Sequence, residues 1–433
     1  MLEDRYGLSL STSSALARDA YGAAVDCILS GGDDPQTQLT LAIQADPAFA
    51  LAHIAQARSH LVRARQPQAR EAAAQARALA HRATPREQSH IHALALAIEG
   101  KAADSLTATY DHLKLYPRDA MVLAPATTIF GLIGLSGRAQ RVQEQLVLMR
   151  SLATHYLDDW WFVSMLAFAI CESGQLDEAH DLIDQSLAAY PRNAHGAHVY
   201  AHVLYEKRQA EKASTYLNHW MSSYPKQGLL HCHLSWHLAL LALELGETER
   251  AWAIYQADIH PGGAWGPPLN IATDAPSFLW RAELAGQAQQ SQRWPEVHQF
   301  VASSFSKVGL SFSDVHFAVA CAAVHDVSGL DQLIEALHQR QAKNELLAGP
   351  VVLTLAQAYR AFEKTQWDEA IRLFEEALPD TARIGGSLAQ RDLIENTLLA
   401  AYLKAGRADE ARQRFAHSAQ RQPFIMVNGL SGA

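Results

Sequence analysis

A run of histidines between residues 195 and 237 is the feature of this sequence best suited to chemistry. His198 and His202 are four residues apart, and so are His233 and His237, so each pair would lie on one face of an α-helix. Imidazole exchanges protons near neutral pH and also binds transition metals. The two pairs are therefore predicted to belong to a site. The other histidines of the run are predicted to start helices or to lie on a different helix, outside the site: His195, His219 and His231.

The elements that would carry these pairs are recurrent helix–turn–helix units. An apolar helix, a short turn and a second helix with an acidic start recur in AFAICESGQLDEAHDLI, ALLALELGETERAWAIY, AYRAFEKTQWDEAIRLF and AYLKAGRADEARQRF. Apart from one interval of 46 residues, between Gly246 and Gln292, the turns are spaced by about 34 to 40 residues, which is the period of tetratricopeptide-type repeats. Glycine suits such turns because helices often end in a left-handed residue. The predicted turn positions are Gln66, Gly100, Gly137, Gly174, Gln209, Gly246, Gln292, Gly329, Gln366 and Gly406.

This period predicts an all-α protein with a single helical-repeat domain over residues 1–433. Each unit has a helix A and a helix B, and stacking of neighbouring units buries their apolar faces. We predict a right-handed α-solenoid of about ten tetratricopeptide-like repeats, curled around a concave pocket that the A helices line. Residues 1–30 would form an N-terminal cap. Residues 257–277, rich in glycine and proline, would be an insertion loop, and residues 379–392 an irregular segment before the last repeat.

Polar and aromatic side chains recur at about one height on successive A helices, which core packing alone does not require. The predicted catalytic residues are His198, His202, His233, His237, Asp314 and His316. The predicted ligand-binding residues are Trp160, Trp161, Asp274, Trp280, Arg281, Arg391 and Asp392.

These residue types suit acid/base chemistry on a small polar or anionic molecule. A carboxylate fixes the tautomer of a neighbouring histidine, which can then transfer a proton. An arginine holds an anion through a bidentate contact, and tryptophans offer flat apolar walls. The reaction type is not specified by these residues, and whether the protein is an enzyme stays open.

Two alternatives also stay open. The paired histidines, with Glu206 one turn further along, could hold a metal such as zinc. However, no HExxH motif is present and Cys232 has no cysteine partner nearby, so no metal and no other cofactor is predicted. The second alternative is an interaction scaffold whose groove binds a peptide, with Arg281 and Arg391 holding carboxylates.

Composition restricts partners and location. The net charge is −9 and no basic run occurs, so nucleic acid and anionic membranes are predicted not to be partners. The N-terminal segment MLEDRYGLSLSTSS lacks the features of a signal peptide, and the most apolar stretch is too short to span a bilayer. The four cysteines are scattered, as expected for reduced thiols. We expect a cytoplasmic protein with a small-molecule ligand or substrate, and a homo-oligomer or a protein partner is compatible with this.

The sequence resembles the tetratricopeptide-repeat protein 38 family over nearly its whole length. The resemblance lies in DRYGLSLSTSSALA, ADPAFALAHIAQAR, HVYAH, CHLSWHLALLALELG, DAPSFLWRAELAG, SFSDVHF and GGSLAQRDLIENTLL. It implies a helical-repeat fold without an assigned general activity. The segment VLYEK after His202 departs from the family's Glu-Met pattern, so the resemblance adds nothing to a metal role for Glu206. The family-like motifs fall on His198, His202, His233, His237, Asp274, Arg281, Asp314, His316, Arg391 and Asp392.

Overall fold

The chain forms 22 α-helices and one short β-hairpin in the part that the computed structural model describes, residues 2–417, 425 and 427–430. The helices before the histidine run are α1 (Ala15–Ser30), α2 (Gln36–Ala45), α3 (Ala50–Val62), α4 (Gln66–Leu79), α5 (Pro85–Ile98), α6 (Ala102–Leu115), α7 (Ala120–Thr127), α8 (Arg141–Tyr156), α9 (Trp160–Glu172) and α10 (Leu176–Ala189).

The remaining helices are α11 (Ala194–Glu206), α12 (Ala210–Met221), α13 (His231–Glu244), α14 (Thr248–Ile254), α15 (Pro268–Leu284), α16 (Trp294–Ser304), α17 (Ser311–Ala323), α18 (Val327–Ala342), α19 (Val351–Glu363), α20 (Trp367–Ala377), α21 (Leu388–Lys404) and α22 (Ala408–His417). The hairpin pairs β1 (Leu2–Glu3) with β2 (Ser9–Leu10) in antiparallel fashion. Single turns of 3₁₀-helix lie at Ala80–Arg82 and of π-helix at Tyr255–Ile259, and a longer 3₁₀ segment covers Leu378–Ile384. The predicted all-α helical-repeat fold is confirmed.

The turns between paired helices share one backbone feature, a residue with positive φ. From the α3–α4 pair to the α21–α22 pair these residues are Ala64, Gly100, Gly137, Gly174, Arg208, Gly246, Gly286, His325, Thr365 and Gly406. Nine of these residues come two positions after the end of the first helix and redirect the chain, as the sequence pattern predicts, whereas Gly137 comes ten positions after the end of α7. At five turns the predicted marker comes after the left-handed residue. Gln66, Gln209 and Gln366 are one or two residues late, Gln292 follows Gly286 by six, and Gly329 lies inside α18, four residues after His325.

Two predicted irregular segments are partly helical. Only residues 260–267 of the predicted insertion loop are non-helical, since α15 begins at Pro268 and contains Pro276. Pro268 is tolerated as the first residue of α15, because a backbone N–H at that position has no hydrogen-bond partner within the helix. In the second segment, Ser387 caps α21 through a reciprocal hydrogen-bond pair with Gln390.

The described residues divide into two compact units. The first comprises the chain to Gly134, Val142–Tyr200 and Pro225–Leu230, and the second comprises Leu135–Arg141, Ala201–Tyr224 and the chain from His231 onwards. In the second unit α13, α15, α17 and α19 pack in succession, and α21 packs on α15. Among the described residues, no helix combines the length and the apolar character needed to cross a bilayer.

Candidate functional site

A set of polar side chains lies buried in the second unit, on three of its helices and the end of a fourth. Each is at most 5% exposed. We call this set the buried polar cluster; its members are His202 on α11, His233 and His237 on α13, Asp274 and Arg281 on α15, and His316 on α17. Since buried charged and polar groups cost free energy unless they are paired, so dense a set requires an explanation.

A histidine–aspartate pair lies in this cluster. His233 Nδ1 is 2.8 Å from Asp274 Oδ2, and both side chains are buried. Burial raises the pKa of Asp274, while His233, Gln390 and Arg281 act in the opposite direction. The pairing fixes the orientation of the His233 ring and directs Nε2 away from the carboxylate. Such a pair is suited either to proton transfer or to metal ligation.

Three imidazoles meet beside this pair. The His237 ring contacts those of His202 and His233 edge to face, with centroids 4.7 Å and 4.9 Å away. Burial, with His202, His233 and Arg281 nearby, holds the pKa of His237 well below its ordinary value. One ring nitrogen from each of the three lies within 4.8 Å of the others. Since a neutral imidazole offers a lone pair, this group could hold a transition-metal ion.

Arg281 is the cation of the cluster and is fixed by the start of α21. Its guanidinium donates to the backbone oxygens of Ala389, at 2.7 Å, and Gln390, at 2.9 Å. It also lies over the indole of Trp236, 5.4 Å from the ring centroid. Arginine held in this way presents a fixed positive charge next to the histidines, which favours an anionic ligand.

His316 reaches the cluster from α17. Its Nδ1 hydrogen-bonds to the backbone oxygen of Phe312 at 2.7 Å. Its Nε2 is buried and has no hydrogen-bond partner among the described residues. Burial, followed by the nearby charge of Arg281, lowers the pKa of His316 to about 4. His316 is therefore a neutral imidazole with one ring nitrogen open to a ligand.

Other predicted site residues have contacts outside this cluster. Asp314 accepts a hydrogen bond from the backbone N–H of Gly309 at 3.0 Å, and burial raises its pKa to about 7. Trp280 donates through Nε1 to the Thr397 hydroxyl at 2.9 Å. Arg391 is only half-buried and donates to the backbone oxygen of Gly386 at 2.6 Å.

Asp392 is buried in the second unit and accepts a hydrogen bond from the hydroxyl of Tyr205 at 2.9 Å. His198 is one turn before His202 on α11, but it falls in the first unit, where its ring meets that of Phe168.

The two predicted tryptophan walls also lie in the first unit. Trp160 stacks on Tyr190 with ring centroids 4.4 Å apart. Trp161 is buried, and its ring meets that of Tyr156 edge to face. These contacts are those of core aromatic packing, and a part in ligand binding stays a prediction.

Some residues of the site were not predicted. Trp236 stacks on the His233 ring with centroids 5.3 Å apart, and Gln390 lies next to Asp274. Trp236 lies between the two histidines of the CHLSWH segment, so a tryptophan within a histidine pair could have identified it. Gln390 has no such signal, because its place depends on how α21 packs on α15.

A second buried polar group, also unpredicted, lies in the first unit around Asp119. Its Oδ2 accepts from Arg86 at 2.9 Å and lies 2.9 Å from His90 and 3.1 Å from His112. These neighbours lower the pKa of Asp119 despite its burial. Arg86 also donates to the backbone oxygen of Ser9, so the group links the N-terminal hairpin to α5 and has the contacts of a structural network.

Comparisons with known proteins agree on the type of fold. No family model matches the chain. A human IFIT1 dimer with PPP-AAAA is 12% identical, with 97% of each chain covered and a TM-score of 0.45. Yeast Tom70 is 12% identical, with 94% of this chain and 92% of that chain covered and a TM-score of 0.34. A tetratricopeptide repeat protein from Parabacteroides merdae is 13% identical, with 62% and 94% covered and a TM-score of 0.33. Similarity at this level agrees with the helical-repeat fold and assigns no ligand or reaction to this chain.

The prediction that nucleic acid is excluded as a partner is wrong. Human IFIT1 was solved with PPP-AAAA and with m7Gppp-AAAA, which are RNA ligands. The exclusion used net charge, which sums over the whole surface and does not describe a local site. The chain itself is a helical-repeat protein similar in fold to tetratricopeptide-repeat proteins.

Proposed function

We propose that the buried polar cluster binds a small anionic molecule and acts on it by acid/base chemistry. The observation that carries the proposal is the His233–Asp274 pair at 2.8 Å beside the buried cation Arg281. A histidine oriented by a carboxylate can transfer a proton, and a fixed guanidinium can hold a carboxylate or phosphate group. We also propose that the chain is a member of the tetratricopeptide-repeat protein 38 family, on the motifs quoted above.

The cluster supports a ligand site better than a purely structural role. The group around Asp119, which has the contacts of a structural network, leaves one buried ring nitrogen, His90 Nε2, without a hydrogen bond to a described residue. The buried polar cluster contains a comparable atom, His316 Nε2, which no described residue contacts by a hydrogen bond. The hydroxyls of Ser277 and Ser313 are likewise buried without a described partner. Polar atoms of this kind are expected where a ligand completes the bonding.

A metal-dependent variant of this function is the second candidate. It is favoured by the ring nitrogens of His202, His233 and His237, which lie within 4.8 Å of one another. The Asp274 carboxylate behind His233 is also the usual orienting partner of a metal-bound histidine. In this variant a metal-bound water, rather than an imidazole, would handle the proton.

The test is a thermal-shift screen of the purified chain against small carboxylates, phosphates and sulfonates, with and without EDTA. A ligand at one hundred times its Kd stabilises the folded state by about 2.7 kcal/mol, which is readily measured as a rise in Tm. We expect at least one anion to raise the Tm of the wild type and to have no effect on Arg281→Gln. If every active compound stabilises both chains equally, the proposed site is wrong.

Two comparisons make the screen interpretable. Arg372→Gln removes an exposed cation that pairs with Glu369 and Glu376, so this variant should respond to the same anion as the wild type. A response that survives EDTA favours the metal-free reaction, whereas a response that EDTA abolishes and Zn²⁺ restores favours the metal-dependent variant.

A further inference from the structure

Three potential metal ligands converge in the second unit, apart from the buried polar cluster. His298 comes from α16, Cys321 from α17, and Asp326 directly precedes α18. Their ligand atoms all lie within 4.8 Å of one another. The Cys321 Sγ is buried, whereas the side chains of His298 and Asp326 keep 23% and 32% of their surface exposed. The group therefore has a soft ligand on its inner side and access to solvent on its outer side.

The spacing of the three atoms matches the edges of a tetrahedral metal site. His298 Nε2 is 3.1 Å from Asp326 Oδ2 and 3.5 Å from Cys321 Sγ, and Sγ is 3.9 Å from Oδ2. Zinc bound at about 2.0–2.1 Å to nitrogen and oxygen and about 2.3 Å to sulfur places tetrahedral ligands about 3.3 Å (N···O) and about 3.5 Å (N···S and S···O) apart. Small side-chain rotations would bring the observed distances to these values.

Hydrogen bonding explains this arrangement less well. The same atom of His298, Nε2, is the one nearest to both neighbours. If Nε2–H donates to Asp326 Oδ2 and the Cys321 thiol donates to the same oxygen at 3.9 Å, the 3.5 Å contact between Nε2 and Sγ is left without a hydrogen bond of its own. A cation accepts a lone pair from all three atoms at once.

The second carboxylate oxygen is already occupied. Asp326 Oδ1 accepts the backbone N–H of Gly329 at 2.8 Å, which caps α18. This bond fixes the carboxylate and directs Oδ2 toward His298 and Cys321. A metal ligand oriented by a second hydrogen bond is the arrangement expected around protein-bound metals.

We propose that His298, Cys321 and Asp326 bind a divalent transition-metal ion, with zinc as the ion that fits the donors best. The site shares no residue with the buried polar cluster and does not depend on the function proposed for it. Three protein ligands with the outer side open to solvent leave a fourth position to water. The ion would tie α16, α17 and α18 together.

Titration of the full chain with Co²⁺ tests this site by a signal that a histidine-only site lacks. Cobalt bound by a thiolate has a charge-transfer band in the near ultraviolet, in addition to the visible bands of tetrahedral coordination. We expect one equivalent to produce the band in the wild type, and Zn²⁺ to remove it by displacing Co²⁺. No band in the reduced, metal-free wild type would overturn the proposal.

Variants assign the ligands. Cys321→Ser should lose the band, whereas Cys27→Ser, which changes a partly exposed thiol in the first unit, should keep it. A band that persists in Cys321→Ser overturns the assignment. Asp326→Asn keeps a good helix cap but loses the charge, and should weaken Co²⁺ binding at least about tenfold. If Cys321→Ser does not fold, as judged by circular dichroism, the partly exposed His298→Ala decides: unchanged affinity there contradicts the site.

Discussion

At the scale of single residues, the arrangement around Asp274 is the centre of the candidate site. Its carboxylate is buried and bonded to a histidine 41 positions earlier in the sequence. Burial raises its pKa, so the charged form is held at a cost that His233 and Arg281 partly offset. Carboxylates with a pKa perturbed by burial and by specific charged neighbours cluster at functional sites, which makes Asp274 a candidate functional residue.

Asp274→Asn should separate function from stability. The amide has the same shape and can still accept a hydrogen bond from His233 Nδ1, while the buried charge is removed, so the free energy of unfolding should change by no more than about 1 kcal/mol. Turnover of the compound identified by the screen should fall by about 10²- to 10⁴-fold, because the histidine loses its charged partner. Kinetic assays and urea denaturation give the two numbers. Asp331→Asn, a surface change, is the control; equal turnover in both variants would contradict a role for Asp274.

His316 predicts a pH dependence of stability. Its folded-state pKa of about 4 lies below the ordinary 6.5, so the unfolded chain binds the proton more tightly. The stabilisation associated with neutral His316 is therefore fully present above pH about 6.5. As the pH falls toward 4, the free energy of unfolding decreases by up to about 3 kcal/mol, because the unfolded chain takes up the proton first. Urea denaturation of the wild type and His316→Gln at pH 7, 6 and 5 should show the wild type losing more stability. Parallel curves would mean that His316 does not titrate in this way.

At the scale of elements, the helix pairs follow from local chemistry. Each turn contains one left-handed residue, and the sequence pattern located five of the ten, all of them glycines. Where glycine is missing, the chain still adopts this conformation, at Ala64, Arg208, His325 and Thr365. Packing of the two helices imposes the turn even where the residue disfavours it. His325 therefore takes the left-handed conformation, whereas Gly329, the predicted turn residue, lies inside α18.

The strain at Thr365 can be measured. This exposed, β-branched residue has a φ of 56°, a conformation that L-residues adopt at a cost of about 1–2 kcal/mol. Thr365→Gly should therefore raise the free energy of unfolding by about 1 kcal/mol. Lys364→Gly, one position earlier at a φ of −76°, should lower it, because there glycine only adds freedom to the unfolded chain. Denaturant midpoints compare the two; destabilisation in both would rule out relief of strain.

At the scale of the whole molecule, contacts distant in sequence assemble the site inside the second unit. Arg281 reaches backbone oxygens more than 100 positions later, at Ala389 and Gln390. Tyr205 and Asp392 are 187 positions apart and share a hydrogen bond. Through these bonds α21 packs against α15 and the end of α11. The predicted succession of repeats, in which each unit contacts its neighbours in sequence, does not include these contacts.

Thr397→Val tests one of these long-range contacts. The Thr397 hydroxyl accepts from Trp280 Nε1, and both residues are buried. Valine has nearly the same shape but leaves the indole N–H without a partner, so the free energy of unfolding should fall by about 1–3 kcal/mol. The conservative Thr397→Ser keeps the hydroxyl and should recover most of the loss. Equal losses of stability in Thr397→Val and Thr397→Ser would mean that the hydroxyl does not account for the effect.

The sequence by itself determined the helical repeats, their approximate boundaries and the two i,i+4 histidine pairs. These features depend on residues a few positions apart, through helical periodicity and turn conformation. Only the tertiary structure decided that His233 meets Asp274, that Asp314 and Trp280 turn to other partners, and that His298, Cys321 and Asp326 converge. Such meetings depend on the rotation and stacking of separate helices, which the side-chain packing of the folded unit sets and no short stretch of sequence encodes.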